Sequence, residues 1–72
     1  MASRRCIAAN EVIIEDSVCL SLHVVVIESG IVKDYYPLEE EQQNTEWYRG
    51  TIYINKDVNG SLRAYREGKL IE

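Results

Sequence analysis

Ile52-Tyr53-Ile54-Asn55-Lys56-Asp57-Val58-Asn59-Gly60-Ser61-Leu62-Arg63-Ala64-Tyr65 reads as a β-hairpin, and that reading decides the fold class. Ile52 and Ile54 alternate with Tyr53 and Asn55; Leu62 and Ala64 alternate with Arg63 and Tyr65. Alternation at every second position marks strands with one buried face. A two-residue Asn59-Gly60 loop would pair Ile54 with Tyr65 and put the isoleucines on the same face as Arg63. A three-residue loop, Val58-Asn59-Gly60, pairs Ile54 with Ala64 and Tyr53 with Tyr65, which keeps one face apolar. That loop is a type I turn followed by a left-handed residue in a bulge, so Gly60 is expected at positive φ.

Upstream, the same vocabulary continues. Val, Ile and Thr make up 17 of the 72 residues, with five tyrosines and one tryptophan beside them. These residues suit pleated, half-buried strands. No stretch keeps apolar residues at helical spacing over three turns. A first strand is expected from Cys6 to Ile14, a polar turn at Glu15-Asp16-Ser17, and a second strand from Val18 to Ile27. In that second strand Leu20, Leu22, Val24 and Val26 would point one way, and Cys19, Ser21, His23, Val25 and Ile27 the other. Its end is apolar on both faces, which predicts a central strand covered on both sides. Glu28-Ser29-Gly30 makes a tight turn with Gly30 at positive φ. A third strand, Ile31 to Tyr36, ends at Pro37, which has no N–H for a ladder; His23 would lie opposite Tyr36.

Residues 39–46 contain no apolar side chain and read as an acidic polar loop. Trp47 and Tyr48 return the chain to the body. Glu67-Gly68 signals a last turn before a short edge strand at Lys69-Leu70-Ile71-Glu72. The expectation is one all-β domain over residues 1–72, a small antiparallel sandwich or open barrel of about six strands built from hairpins. Trp47 and the isoleucines would fill its core.

The stretch His23-Val24-Val25-Val26-Ile27-Glu28-Ser29-Gly30-Ile31-Val32-Lys33-Asp34-Tyr35 resembles the small N-terminal β-sandwich of amidohydrolase-superfamily chains. The strand Cys6–Ile14 before it and Arg49-Gly50-Thr51-Ile52-Tyr53-Ile54 after it are similar to strands of that unit. The family's catalytic barrel and its His-x-His metal motif are absent, since His23 is the single histidine. The resemblance implies architecture alone, an all-β unit of similar hairpin order without inherited activity.

Composition narrows the function. The chain carries a net charge of −4, with residues 1–46 at −6 and residues 47–72 at +2. Nucleic-acid affinity comes mainly from neutralised phosphates, so no nucleic-acid partner is expected. No apolar run approaches the ~20 residues of a spanning helix, and no membrane partner is expected. After Arg4-Arg5, the run Cys6-Ile7-Ala8-Ala9 is shorter than the ~7–15 residues of a signal core, which predicts a cytoplasmic chain. The hairpin register puts Cys6 near Val26 and Cys19 opposite Ile13, too far apart to bridge. Both are expected as reduced, partly buried thiols.

Chemistry-bearing clusters are scarce. Cys19 and His23 share a strand face, but four residues along a strand span about 13 Å, beyond the reach of a nucleophile and its base. Zinc sites show closely spaced ligand pairs, and none is present. Glu39-Glu40-Glu41 would suit calcium or a basic partner, yet no calcium-loop pattern accompanies it, and solvation is the ordinary role of such a run. Asn59-Gly60-Ser61 matches the glycosylation acceptor, but it is turn chemistry in the expected hairpin. No cofactor, metal or catalytic residue is assigned, and no enzyme activity is expected.

What stands out is an aromatic and arginine-rich group: Trp47, Tyr48, Arg49, Tyr53, Asn55, Arg63 and Tyr65. Such side chains supply area and directional donors at binding faces. Cross-strand pairing of Tyr53 with Tyr65 and of Asn55 with Arg63 accounts for part of the pattern, at roughly 0.2–1 kcal/mol per pair. The expected function is a non-enzymatic interaction module, binding another protein or itself as a homodimer. The alternative is a small-ligand domain, for instance for carbohydrate.

Overall fold

A computed structural model describes residues 4–40 and 45–72 of the chain. Six strands follow one another: β1 (Arg4–Ile14), β2 (Val18–Glu28), β3 (Ile31–Pro37), β4 (Glu46–Lys56), β5 (Leu62–Arg66) and β6 (Lys69–Ile71). They form one sheet in the order β3-β2-β1-β4-β5-β6. The sheet curls into a half-barrel, as expected of an all-β chain built from hairpins. No helix among the described residues is long and apolar enough to cross a membrane.

The hairpin that decided the fold class has the expected register. Tyr53 pairs with Tyr65, Ile54 with Ala64 and Asn55 with Arg63, and Gly60 has φ +81°. The Asp57 carboxylate holds the turn by accepting from the N–H groups of Asn59 at 2.8 Å and Ser61 at 3.0 Å. In the β1–β2 hairpin Cys6 faces Val26 and Cys19 faces Ile13, so the thiols stay apart and free. Cys6 is half-buried; Cys19, expected to be partly buried, is exposed.

Several expectations need correction. The ladder between β1 and β4 is parallel, running from Ile7↔Glu46 to Ile14↔Ile54. A parallel neighbour requires a crossover. Here the chain leaves the edge strand β3 and must pass β2 and β1 before entering β4. In sequence, the acidic stretch lies between β3 and β4. Its last position, Glu46, belongs to β4 rather than the loop, and Glu41, Gln42, Gln43 and Asn44 lie outside the described residues.

Alternation along β1 and β2 is also interrupted. Ala9 pairs with His23, and Glu11 pairs with Ser21, leaving Asn10 and Leu22 at a kink where Leu22 has φ +49°. Between Ala9 and Glu11 the β1–β4 ladder shifts as well. The core on β1 is therefore Ile7 and Ala9 before the kink, then Val12 and Ile14 after it. On β2 the kink turns Leu20 to the side of Val25 and Ile27, where it packs against the core, and away from Val24 and Val26. A second shift, between Val26 and Ile27, places His23 opposite Pro37 instead of Tyr36. The His23 ring shares a 2.9 Å hydrogen bond, through Nδ1, with the Ser21 carbonyl.

The concave face gathers Ile7, Ala9, Val12, Ile14, Val25, Ile27, Val32, Ile52, Ile54, Ala64 and Ile71 into one core. Trp47 is not among them: it is 50% exposed. Even-numbered residues of β4 face the core, so Trp47 turns outward with Tyr53. The core position expected of Trp47 is taken by its neighbour Tyr48. The Tyr48 ring lies over Gly50, where an added Cβ would come within 3.0 Å of it, and beneath the Arg66 guanidinium at 5.4 Å.

The curl is held by side chains that reach across it. Arg63 donates from Nη1 to the Gly30 carbonyl at 2.8 Å and from Nε to Asp57 at 2.9 Å. Arg5 makes a two-pronged pair with Glu46 at 2.9 and 2.8 Å and donates to the Glu72 carbonyl at 2.7 Å.

Candidate interaction surface

The convex face is read from the pairing register. Val12, Ile14, Ile52, Ile54, Ala64 and Ile71 face the core. Their chain neighbours Ile13, Tyr53, Tyr65 and Leu70 therefore face outward. Register lines these up: Cys19 on β2 faces Ile13 on β1, Ile13 neighbours Tyr53 on β4, Tyr53 faces Tyr65 on β5, and Tyr65 faces Leu70 on β6. Five uncharged side chains form a row across five strands. At about 4.8 Å between strands the row is roughly 19 Å long. Tyr53 is 40% exposed and Leu70 43%.

Polar positions flank the row. On one side Glu11 lies between Ser21 and Thr51. Its carboxylate accepts from the Thr51 hydroxyl at 3.1 Å and from the Cys19 thiol at 3.5 Å. The hydrogen bond to Glu11 pushes the Cys19 thiol above its ordinary pKa, with desolvation and the carboxylate's charge adding to the effect. Cys19 is thus a protonated, weakly nucleophilic member of the row. On the other side stand Asn55 and Arg63.

The group picked out from the sequence is divided by the structure. Tyr53, Asn55, Arg63 and Tyr65 come together on β4 and β5. Arg63 is committed to closing the curl. Its bond to Asp57 is the largest cause holding that carboxyl below the usual range, followed by the Ser61 N–H. Arg49 and Trp47 share the outward side of β4, but Trp47 is six residues from Tyr53, about 20 Å along a strand. Tyr48 faces the core. The sequence reading missed Ile13, Cys19 and Leu70. The Cys19–Ile13 pairing was legible from the hairpin; the β1–β4 neighbourhood that extends it to Tyr53 was not.

Among the described residues no three His, Cys, Asp or Glu side chains are grouped to hold a metal ion. Two grooves lie among the described residues. One of about 410 Å3 has Trp47 on its wall. The other, of about 460 Å3, lies at the closing seam beside Gly30, Arg63 and Leu70. Comparison with family models, with curated proteins and with solved structures finds no match to this chain.

Proposed function

We propose that this chain is a non-enzymatic interaction module that associates with a second copy of itself through the convex face of β2, β1, β4, β5 and β6. One observation carries the reading: the row Cys19–Ile13–Tyr53–Tyr65–Leu70 crosses the sheet without a formal charge. Two such rows stack on each other without burying like charges, which suits an isologous two-fold contact. Tyrosines at the centre and polar positions at the flanks follow the anatomy of protein interfaces. The molecule extends 34 × 33 × 19 Å. Its broad side is wide enough for the roughly 800 Å² per partner that stable interfaces bury. The two unbridged thiols suit a reducing, cytoplasmic setting.

Sedimentation equilibrium tests the proposal. The mass should rise from 8.3 kDa toward the dimer as concentration increases, and Tyr53→Asp should hold the chain at the monomer mass with an unchanged circular dichroism spectrum. A single 8.3 kDa species up to millimolar concentration would overturn it. So would a dimer that Tyr53→Asp and Tyr65→Asp leave intact.

A further inference from the structure

At the other end of the convex face, beyond the kink, lies the groove of about 410 Å3. Leu22, Leu38 and Trp47 line it with apolar surface over the buried Ala8, and the exposed Glu39 and Glu40 stand at its rim. The Leu38 N–H donates to the Leu22 carbonyl at 3.0 Å, which pins the start of the crossover to the kink in β2. Ala8 is fully covered, while Leu22 is 40% exposed. Glu46 already has its cation: the hydrogen bond from Arg5 holds its carboxyl below the usual range. Glu39 and Glu40 are exposed.

The combination is an apolar trough, a half-exposed indole and a rim of negative charge. It matches one chemistry, an alkyl stem ending in a cation. A lysine or arginine side chain buries its methylenes against apolar surface while its head stays polar. A cation over an indole face is attracted by the ring's quadrupole. The volume lies within the ~300–1,000 Å3 of ligand sites. Residues 1–46, which supply all the lining except Trp47, carry a net charge of −6.

We propose that this groove is a docking site for a basic peptide segment of a partner protein. One Lys or Arg side chain lies along Leu22 and Leu38, with its cationic head between the Trp47 ring and the carboxylates of Glu39 and Glu40. This site is separate from the tyrosine row and does not depend on self-association.

Trp47 is the only tryptophan, so its emission reports directly on the groove. Titrating the chain with a short Lys/Arg-rich peptide should shift the emission saturably, and added salt should weaken the binding. The double variant Glu39→Gln/Glu40→Gln, at two exposed positions, should raise the Kd by up to about tenfold, the upper range for losing two exposed ion pairs. The same titration on Tyr53→Asp should give the same Kd, which separates this site from the dimer surface. No emission change at millimolar peptide overturns the proposal, as does an equal response to an acidic peptide of the same length. An unchanged Kd in the double variant overturns the placement of the cation. Spermine binding as tightly as the peptide overturns the peptide as occupant.

Discussion

The convex face has two halves that began with similar side chains and ended differently. Around Ala8, Val24 and Val26 the outward residues are 1%, 0% and 2% exposed. Around Ile13, Tyr53 and Leu70 they are open: Tyr53 and Leu70 are exposed and Ile13 is half-buried. The halves meet at the kink through Asn10 and Leu22. On the first half the chain has just left β3 and must cross β2 and β1 to reach β4, so Leu38 and Thr45 stand beside Ala8. No connection crosses the second half, because β4, β5 and β6 are joined by short turns. A sheet with apolar side chains on both faces needs two covers, and here Leu38 and Thr45, at the two ends of the crossover, stand over only part of the outer one. The uncovered part is the surface assigned to a second copy.

Charge at the covered half should break the contrast most severely. Val24→Asp places an unpaired carboxylate where no water reaches, and the cost should rival the whole ~5–15 kcal/mol stability of a small domain. The expected outcome is an unfolded circular dichroism spectrum, whereas Tyr53→Asp stays folded. Truncation sharpens the comparison. Val26→Ala should lower urea stability by about 2 kcal/mol through lost burial and a residual cavity, while Tyr53→Ala should lose less than about 1 kcal/mol. Equal losses would mean that the tyrosine row is already covered within one chain.

Turn positions should give a smaller effect. Gly60 sits at φ +81° with open space around it, so Gly60→Ala should cost about 1 kcal/mol, the backbone penalty alone. Gly30→Ala should cost more in denaturant titration. At φ +77° its new Cβ would lie 2.9 Å from Arg63 Nη1 and disturb the bond that closes the curl.

The mildest test is acid. Glu46 and Asp57 both have lowered pKa values, held down chiefly by hydrogen bonds from Arg5 and Arg63 respectively. Their contribution is fully present above the ordinary carboxylate range and is lost as pH falls through the lowered values. Thermal melts should therefore drop on the acid side of pH 4, roughly the unperturbed value. Arg5→Met and Arg63→Met should each flatten that drop.

Much of the fold was legible because local alternation and turn chemistry decide it. Ile52 through Tyr65 could be registered from the face rule alone, and Gly60 followed from the loop length. The kink was not legible. Leucine at positive φ is disfavoured, so nothing at Leu22 announced that the pattern would change sides there. The parallel β1–β4 pairing was hidden for a related reason: residues 39–46 carry no apolar pattern to show where they lead. Without that pairing, Tyr53 and Tyr65 could be seen as partners, but their continuation into Ile13 and Cys19 could not. Trp47 and Tyr48 were misjudged together. Adjacent residues on a strand face opposite ways, and size suggested the wrong one for the core.

The parallel ladder also has a kinetic consequence. It brings Ile7 beside Glu46 and Ile14 beside Ile54, across most of the two meanders that precede and follow the crossover. Within each meander, neighbouring strands are separated by short turns and can zip quickly; joining the meanders pairs residues about 40 positions apart, at a larger loop-closure cost. Refolding should therefore stall with two preformed ribbons whose β1 and β4 edges are bare. During that interval this polypeptide is most exposed to pairing with the wrong neighbour.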